Sequence, residues 1–292
     1  MFNLFDILNF SCFYIYNYII TPPYYIAKHF YNKYVDDYEI NYIEEYTENI
    51  LNQLNFKYEK VEDSFETINY GFILSNHRSF FDFAWDSYIF KSAFIGRALA
   101  YVSMSFSSIL CYMAHKMIII VRGVDTREKI FERALNYLFS LKIEKEKSPN
   151  NPNIPTNILY YPEATRKSHL HVDIDNHHLK PGLLKSIWED CGPLGIAPYL
   201  NCEGVLLPND SLKVQICITS NKENLINEKI FFVNNKWNLF TSLCKNKKPK
   251  QLVKYYIDEP INPKDFKTFD EFYNYVINRW CISWSKVYLG HP

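Results

Sequence analysis

The sequence predicts an α/β layer fold, because short apolar strand-like runs alternate with helical patterns along most of its length. Composition agrees with a folded chain: 48% of residues are hydrophobic and 22% charged, a globular rather than a disordered balance. At 292 residues the chain is long enough to bury a full core.

The elements follow in order. From Ile7 to Ala27 there is no charged residue, a length that could just cross a bilayer. Asn9 and Asn17 interrupt this run, and Pro22-Pro23 are expected to break a helix near its end. Drawn as a helix, Asn3, Asp6, Asn9 and Asn17 gather within an arc of about 120°, leaving a broad apolar face. A helix lying in the membrane interface fits that pattern better than a spanning one, with a buried core helix as the alternative. No basic stretch precedes the apolar run, which argues against a secretory signal. Residues 36–66 are acidic and polar and read as a solvated helix with a connection.

The pattern then changes. Gly71–Ser75 reads as a short buried strand, Phe80–Lys91 as a helix, Ala98–Met113 as a buried or membrane-dipping helix and Met117–Val121 as a strand. Asp125 with Glu128 is expected to cap a helix running to about Leu141. The charged, then Pro- and Asn-rich stretch 142–156 is an exposed connection. Asn157–Tyr161 is the next strand and Gly182–Asp190 the next helix; Gly195–Leu207 and Lys213–Thr219 read as strands. Thr268-x-x-Glu271 caps a final amphipathic helix toward Tyr288.

Composition also excludes some partners. Lys plus Arg and Asp plus Glu are both 32, so no net field draws the chain to nucleic acid. The seven Cys are scattered and form no C-x-x-C pair, which argues against a disulfide framework or a zinc site and places the chain facing the cytosol. Aromatic residues reach 17%, a share open to two readings: a coding bias shared with the abundant Asn, Ile and Lys, or a lipid-facing surface.

Four blocks carry residues suited to chemistry. The first is Asn76-His77-Arg78-Ser79-Phe80-Phe81-Asp82, directly after a predicted strand. His77 and Asp82 would lie about 140° apart on an ideal helix and on opposite faces of a strand, so they meet only across a turn. If they meet, the carboxylate fixes the imidazole tautomer and leaves the other ring nitrogen to take a proton from an alcohol. The alternative is a capping or core histidine. The second block is Tyr161-Pro162-Glu163-Ala164-Thr165-Arg166-Lys167-Ser168, either an anion cradle of backbone N–H groups and guanidinium or a surface turn with a salt bridge. The third is Arg122, at the mouth of a strand and facing a ligand crevice in such sheets. The fourth is Pro198, in an apolar run where it marks either a rigid kink or an edge position.

In this order the blocks resemble the glycerophospholipid acyltransferase family, best known through the 1-acyl-glycerol-3-phosphate acyltransferases. That family carries an N-H-x4-D block, an apolar run ending in Arg, a P-E-G-T-R-S block and an apolar strand containing Pro. Here they are Asn76–Asp82, Ile118–Arg122, Pro162–Ser168 and Ile196–Tyr199, and Lys180-Pro181-Gly182 looks like the basic-Gly step after the third. The resemblance spans about residues 70–260. Ala164 stands where the family has Gly, and Lys167 is inserted before Ser168.

The resemblance implies a mostly parallel sheet flanked by helices, with an N-terminal helical element that docks on a membrane. Residues 1–66 would be the membrane-associated segment and 67–292 the acyltransferase domain. It implies an acyl-CoA-dependent transfer of a fatty acyl group to the free hydroxyl of a lysophosphatidate-type acceptor, with no cofactor beyond acyl-CoA as co-substrate and no metal. His77 would be the general base and Asp82 its orienting partner. Asn76, Arg122, Glu163, Thr165 and Arg166 would bind the acceptor, and Pro162, Ala164 and Pro198 would shape the site. The acyl chain would lie in an apolar tunnel or in the bilayer along Ala98–Met113. Glycerol 3-phosphate, dihydroxyacetone phosphate and lysocardiolipin are alternative acceptors, and the active site would face the cytosol from an endoplasmic-reticulum-type membrane in a eukaryote.

Other classes are weaker. A serine hydrolase lacks a G-x-S-x-G elbow here, a CoA-independent transacylase stays open beside the acyltransferase, and an inactive membrane-binding module rests only on Ala164 and the aromatic N-terminus. His169, His171, Asp173 and Asp175 would share one strand face, open to a divalent metal, although a polar face on an exposed insertion fits as well. The six Lys between Lys236 and Lys254 form a solvated face or a contact with anionic lipid headgroups.

Overall fold

A computed structural model of the chain describes residues 11–12, 14–35, 42–53, 56–77, 82–98, 101, 106–113, 117–121, 123–151, 154–163, 179–195, 199–208, 212–221 and 251–289. Its strands are β1 (Phe56–Lys60), β2 (Phe72–Ser75), β3 (Ser92–Arg97), β4 (Met117–Ile120), β5 (Asn157–Tyr160), β6 (Val214–Asn221) and β7 (Gln251–Ile257). Among the described residues they form one sheet in the order β1-β7-β6-β2-β5-β3-β4. All pairings are parallel except that of β6 with β7. The helices are α1 (Thr21–Val35), α2 (Tyr42–Gln53), α3 (Asp82–Ile89), α4 (Phe106–Met113), α5 (Arg127–Lys147), α6 (Pro181–Cys191) and α7 (Phe269–Tyr288).

The central strands show why this sheet forms. Residues of β2 (FILS) and β5 (NILY) are buried throughout, as expected of parallel strands covered on both faces. Side chains alternate between two cores, the period-2 signature of a strand. Phe72 and Leu74 of β2, Ile158 and Tyr160 of β5, and Ile216 and Ile218 of β6 enter the larger core with Phe131 and Leu138 of α5, Leu184 of α6 and Trp280 of α7. Ile73, Leu159 and Cys217 enter the opposite core with Phe90, Phe94 and Met117. Each such buried apolar side chain stabilises the fold by about 1.5–3 kcal/mol.

Helix α7 is positioned by its own start. The Thr268 hydroxyl accepts from the Glu271 amide, while the Glu271 side chain accepts from the Thr268 amide, a reciprocal capping box. Phe272, Val276, Trp280, Trp284 and Val287 then fall on one buried stripe, which lays the helix on the sheet and carries Tyr288 toward the carboxyl ends of the strands.

Several expectations are corrected. Asp125 does not cap α5; Thr126 does, accepting from the Lys129 amide. Asp125 instead accepts from the Val121 amide at 2.7 Å and from Arg133, which together hold its carboxyl below the ordinary range. Helix α5 also runs on to Lys147, past the expected end at Leu141. Pro22 and Pro23 do not end a helix: they are the second and third residues of α1, which runs on to Val35. A π-helical turn, Ile15–Ile20, leads into them, and the Thr21 hydroxyl donates to the Tyr16 carbonyl at 2.6 Å. Among the described residues of 195–207 there is no strand: Leu200 and Leu206 form an isolated antiparallel bridge, and a tight turn closes between them, with Asn201 Oδ1 accepting from the Glu203 and Val205 amides and Gly204 at φ +81°. Strands β1, β3 and β7 lie outside the elements read from sequence. β1 falls in residues 36–66, expected to be a solvated helix with a connection, and it pairs with β7 in the common sheet.

The helices at the amino-terminal end pack through polar clasps. Tyr46 of α2 bonds the Asn17 carbonyl at 2.7 Å and Ser107 of α4 at 2.6 Å. Their outer surface leaves Tyr16, Ile20, Tyr24, Phe30 and Tyr31 exposed, together with Phe106 and Tyr112 of α4. Among the described residues, no helix is long and apolar enough to cross a membrane.

Candidate active site

Strand β2 ends at Ser75, and the chain leaves the sheet as Asn76-His77 before α3 begins at Asp82. His77 therefore stands just past a strand end and Asp82 at a helix start, the placement that their spacing requires. His77 Nδ1 lies 3.0 Å from Asp82 Oδ2. The Asp82 side chain is fully buried, whereas that of His77 keeps 26% exposure, so the ring is partly open and not sealed in the core. With Asp82 ionised, Nδ1–H donates and Nε2 is left for a substrate hydroxyl.

The histidine is held from several sides. Its backbone N–H donates to Glu163 Oε2 at 2.7 Å, from the turn after β5. Its ring stacks on Tyr161 with centroids 4.6 Å apart and planes 21° from parallel. The preceding residue, Asn76, is fully buried and bonds β6: its Nδ2 donates to the Thr219 carbonyl at 2.9 Å and its Oδ1 accepts from the Thr219 amide at 2.9 Å. Tyr288 of α7 donates to the same Thr219 carbonyl at 3.3 Å.

Beneath this layer lies a second fully buried carboxylate, Asp86, one helical turn after Asp82 on α3. Its Oδ2 accepts from Tyr161 at 3.1 Å and from Ser75 at 3.2 Å, and its Oδ1 accepts from the Thr219 hydroxyl at 3.4 Å. Buried carboxylates persist only with such donors. Burial first, then the charges of Asp86 and Asp258, push the neighbouring Cys217 thiol well above its ordinary range.

The structure thus brings together His77, Asp82, Asn76 and Glu163. Pro162 is buried alongside, and its carbonyl accepts from the Lys180 amide at 2.7 Å, docking the start of α6 beside the site. Of the residues expected at the acceptor, Asn76 bonds the Thr219 backbone and Glu163 accepts from the His77 backbone N–H. Arg122, Ala164, Thr165, Arg166 and Pro198 lie outside the described residues, as do Lys167, Ser168 and the His-rich stretch 169–178. Among the described residues, no group of His, Cys, Asp and Glu could hold a metal.

Sequence reasoning missed Asp86, Tyr161, Ser75, Thr219 and Tyr288. Asp86 had a signal, since a second Asp four residues after Asp82 shares its helix face. Tyr161 opens the second block without having been given a role there, and Thr219 ends a predicted strand. Tyr288 is 212 residues from Asn76 and had none.

No protein-family model matches the chain, and no curated protein matches it. A solved structure described as the 1-acyl-sn-glycerophosphate (LPA) acyltransferase PlsC from Thermotoga maritima is similar over 97% of this chain and 96% of that one, at 15% identity and a TM-score of 0.43.

Proposed function

We propose that the chain transfers a fatty acyl group from acyl-CoA to the free hydroxyl of a lysophosphatidate-type acceptor, with His77 as general base. The observation that carries this reading is the 3.0 Å contact between His77 Nδ1 and Asp82 Oδ2 at the carboxyl end of a central parallel strand, inside an N-H-x4-D block. His77 Nε2 takes the acceptor's hydroxyl proton as that oxygen attacks the thioester carbonyl. The new C–O ester bond forms, the C–S bond breaks, and the departing CoA sulfur takes the proton back from the imidazolium. Asp82 holds the ring and stabilises the imidazolium while it exists. General-base help of this kind is worth about 10²–10⁴-fold.

Arg122, Thr165 and Arg166 are proposed to grip the acceptor phosphate, Arg166 as a bidentate partner. Arg166→Ala should then raise the acceptor KM more than the acyl-CoA KM. Glu163 acts through the His77 backbone. No cofactor is proposed beyond acyl-CoA as co-substrate. The exposed aromatic and aliphatic side chains of Ile15–Ile20, α1 and α4 support an attachment to a membrane surface facing the cytosol.

The test is release of free CoA thiol from oleoyl-CoA by detergent-purified protein, across lysophosphatidate, glycerol 3-phosphate, dihydroxyacetone phosphate and lysocardiolipin. Acceptor-dependent release with lysophosphatidate supports the reading. Release without any acceptor points to a hydrolase, and retained lipid binding with no release under any condition points to a non-catalytic binding module.

A further inference from the structure

We propose that Tyr161 is a positioning residue for His77, and that Asp86 holds Tyr161 in that role. The proposal rests on His77 being the base. A single in-plane hydrogen bond at Nδ1 is a hinge: the ring can pivot about the axis toward Asp82 and swing Nε2 out of line with a substrate hydroxyl. A second contact on the ring face removes that freedom, and Tyr161 supplies one, nearly parallel at 4.6 Å.

A stacked ring fixes its neighbour only if it is itself fixed. The Tyr161 hydroxyl donates to Asp86 Oδ2 at 3.1 Å. Asp86 has no exposure, and its two oxygens also accept from Ser75 and Thr219, so the carboxylate is tied to β2 and β6 as well as to α3. One helix therefore presents two carboxylates a turn apart. Asp82 reaches the edge of the imidazole, and Asp86 reaches the far end of the ring beneath it. The imidazole is fixed in plane and in tilt from the same rigid element, with Glu163 holding its backbone. A tyrosine is needed for this arrangement, because phenylalanine would stack without reaching Asp86.

The test compares Tyr161→Phe and Tyr161→Leu with the wild-type chain. Loss of the tether should lower kcat about 10-fold and loss of the stacked ring about 100-fold, the scale set by a misplacement near 1 Å. The KM values for acyl-CoA and acceptor should stay within twofold, and rescue should rank Phe above Leu. Asp86→Ala combined with Tyr161→Phe should cost no more than Asp86→Ala alone; if Asp86→Ala does not fold, the Tyr161 pair decides. A second readout is independent of turnover: nitrogen NMR of histidine-labelled protein above the imidazole titration, with His77 assigned by its loss in His77→Ala. Wild type should hold one tautomer, protonated at Nδ1, and Tyr161→Leu should mix the two. Unchanged kcat in Tyr161→Leu, or KM rising in step with kcat falling, overturns the proposal, as does a single retained tautomer. If the wild-type chain transfers no acyl group to any acceptor, the catalytic reading falls, and the tautomer ratio alone decides whether Tyr161 orients His77.

Discussion

Asn76 and Thr219 pair as two rungs of a ladder would, the side-chain amide of one bonding both backbone groups of the other at 2.9 Å. Strand β2 ends at Ser75, so this clasp extends its hold on β6 by one residue and delivers His77 to the site from a fixed point. Asn76→Ala should leave the Thr219 N–H without this partner and create a small cavity. The expected cost is about 2–3 kcal/mol, at the upper end for a buried amide of this kind, read as a lower urea midpoint with an unchanged slope. An unchanged midpoint would mean the clasp contributes nothing.

Glu163 distinguishes a backbone anchor from a binder of charge. Glu163→Gln keeps an oxygen to accept from the His77 amide and should retain most of kcat. Glu163→Ala loses that acceptor and should lower kcat by about 10-fold through the same kind of misplacement. Steady-state kinetics of the two variants decide it; equal losses in both would show that the negative charge, not the accepted hydrogen bond, is what the site uses.

The capping box at Thr268 tests how α7 is held. Thr268→Ala should cost about 1 kcal/mol and lower Tm by about 2–4 °C for a chain of this size. Because α7 carries Tyr288 to Thr219, calorimetry on this variant also reports whether the helix start and the site share one cooperative unit. A shift below 0.5 °C would place the stability of α7 in its apolar stripe alone.

Thiol reactivity follows burial. Cys12 and Cys202 are exposed, while Cys191, Cys217 and Cys281 are buried. Burial, with the nearby Asp190 charge adding to it, pushes the Cys191 thiol up to about 12, so it stays protonated across the working range. Maleimide labelling followed by mass spectrometry should modify Cys12 and Cys202 quickly in the folded chain. Raising the pH from about 7 to about 9 should leave Cys191 unlabelled, since a thiol held at about 12 gains almost no thiolate over that interval. Labelling of Cys217 at the rate of Cys202 would contradict the core described above.

Much of this was legible in the sequence, for identifiable reasons. β2, β5 and β6 are buried on both faces and so read as short apolar runs, and the box at Thr268 announced α7. β1 was not legible: in FKYEK the charged residues of an edge strand break the apolar run, and its partner β7 lies nearly 200 residues away. β3 fell in the gap between the helix read over Phe80–Lys91 and the apolar stretch starting at Ala98. There, a Cβ on Gly96 would stand 2.5 Å from the Met117 side chain, a close approach to β4 that only tertiary structure reveals. In the site, His77 and Asp82 lie five residues apart, one just past a strand and the other at a helix start, so local spacing was enough to pair them. Thr219 and Tyr288 reach Asn76 only through the sheet and α7, which no local pattern encodes.

The central claim is that the imidazole of His77, held by Asp82, takes the acceptor's proton. The most direct measurement is the rate of acyl transfer from labelled oleoyl-CoA to lysophosphatidate in wild type and in His77→Ala, at matched Tm. The account predicts a loss of at least about 10²-fold in kcat with little change in lipid binding. A His77→Ala rate within about threefold of wild type, far short of a general base's share, would contradict it.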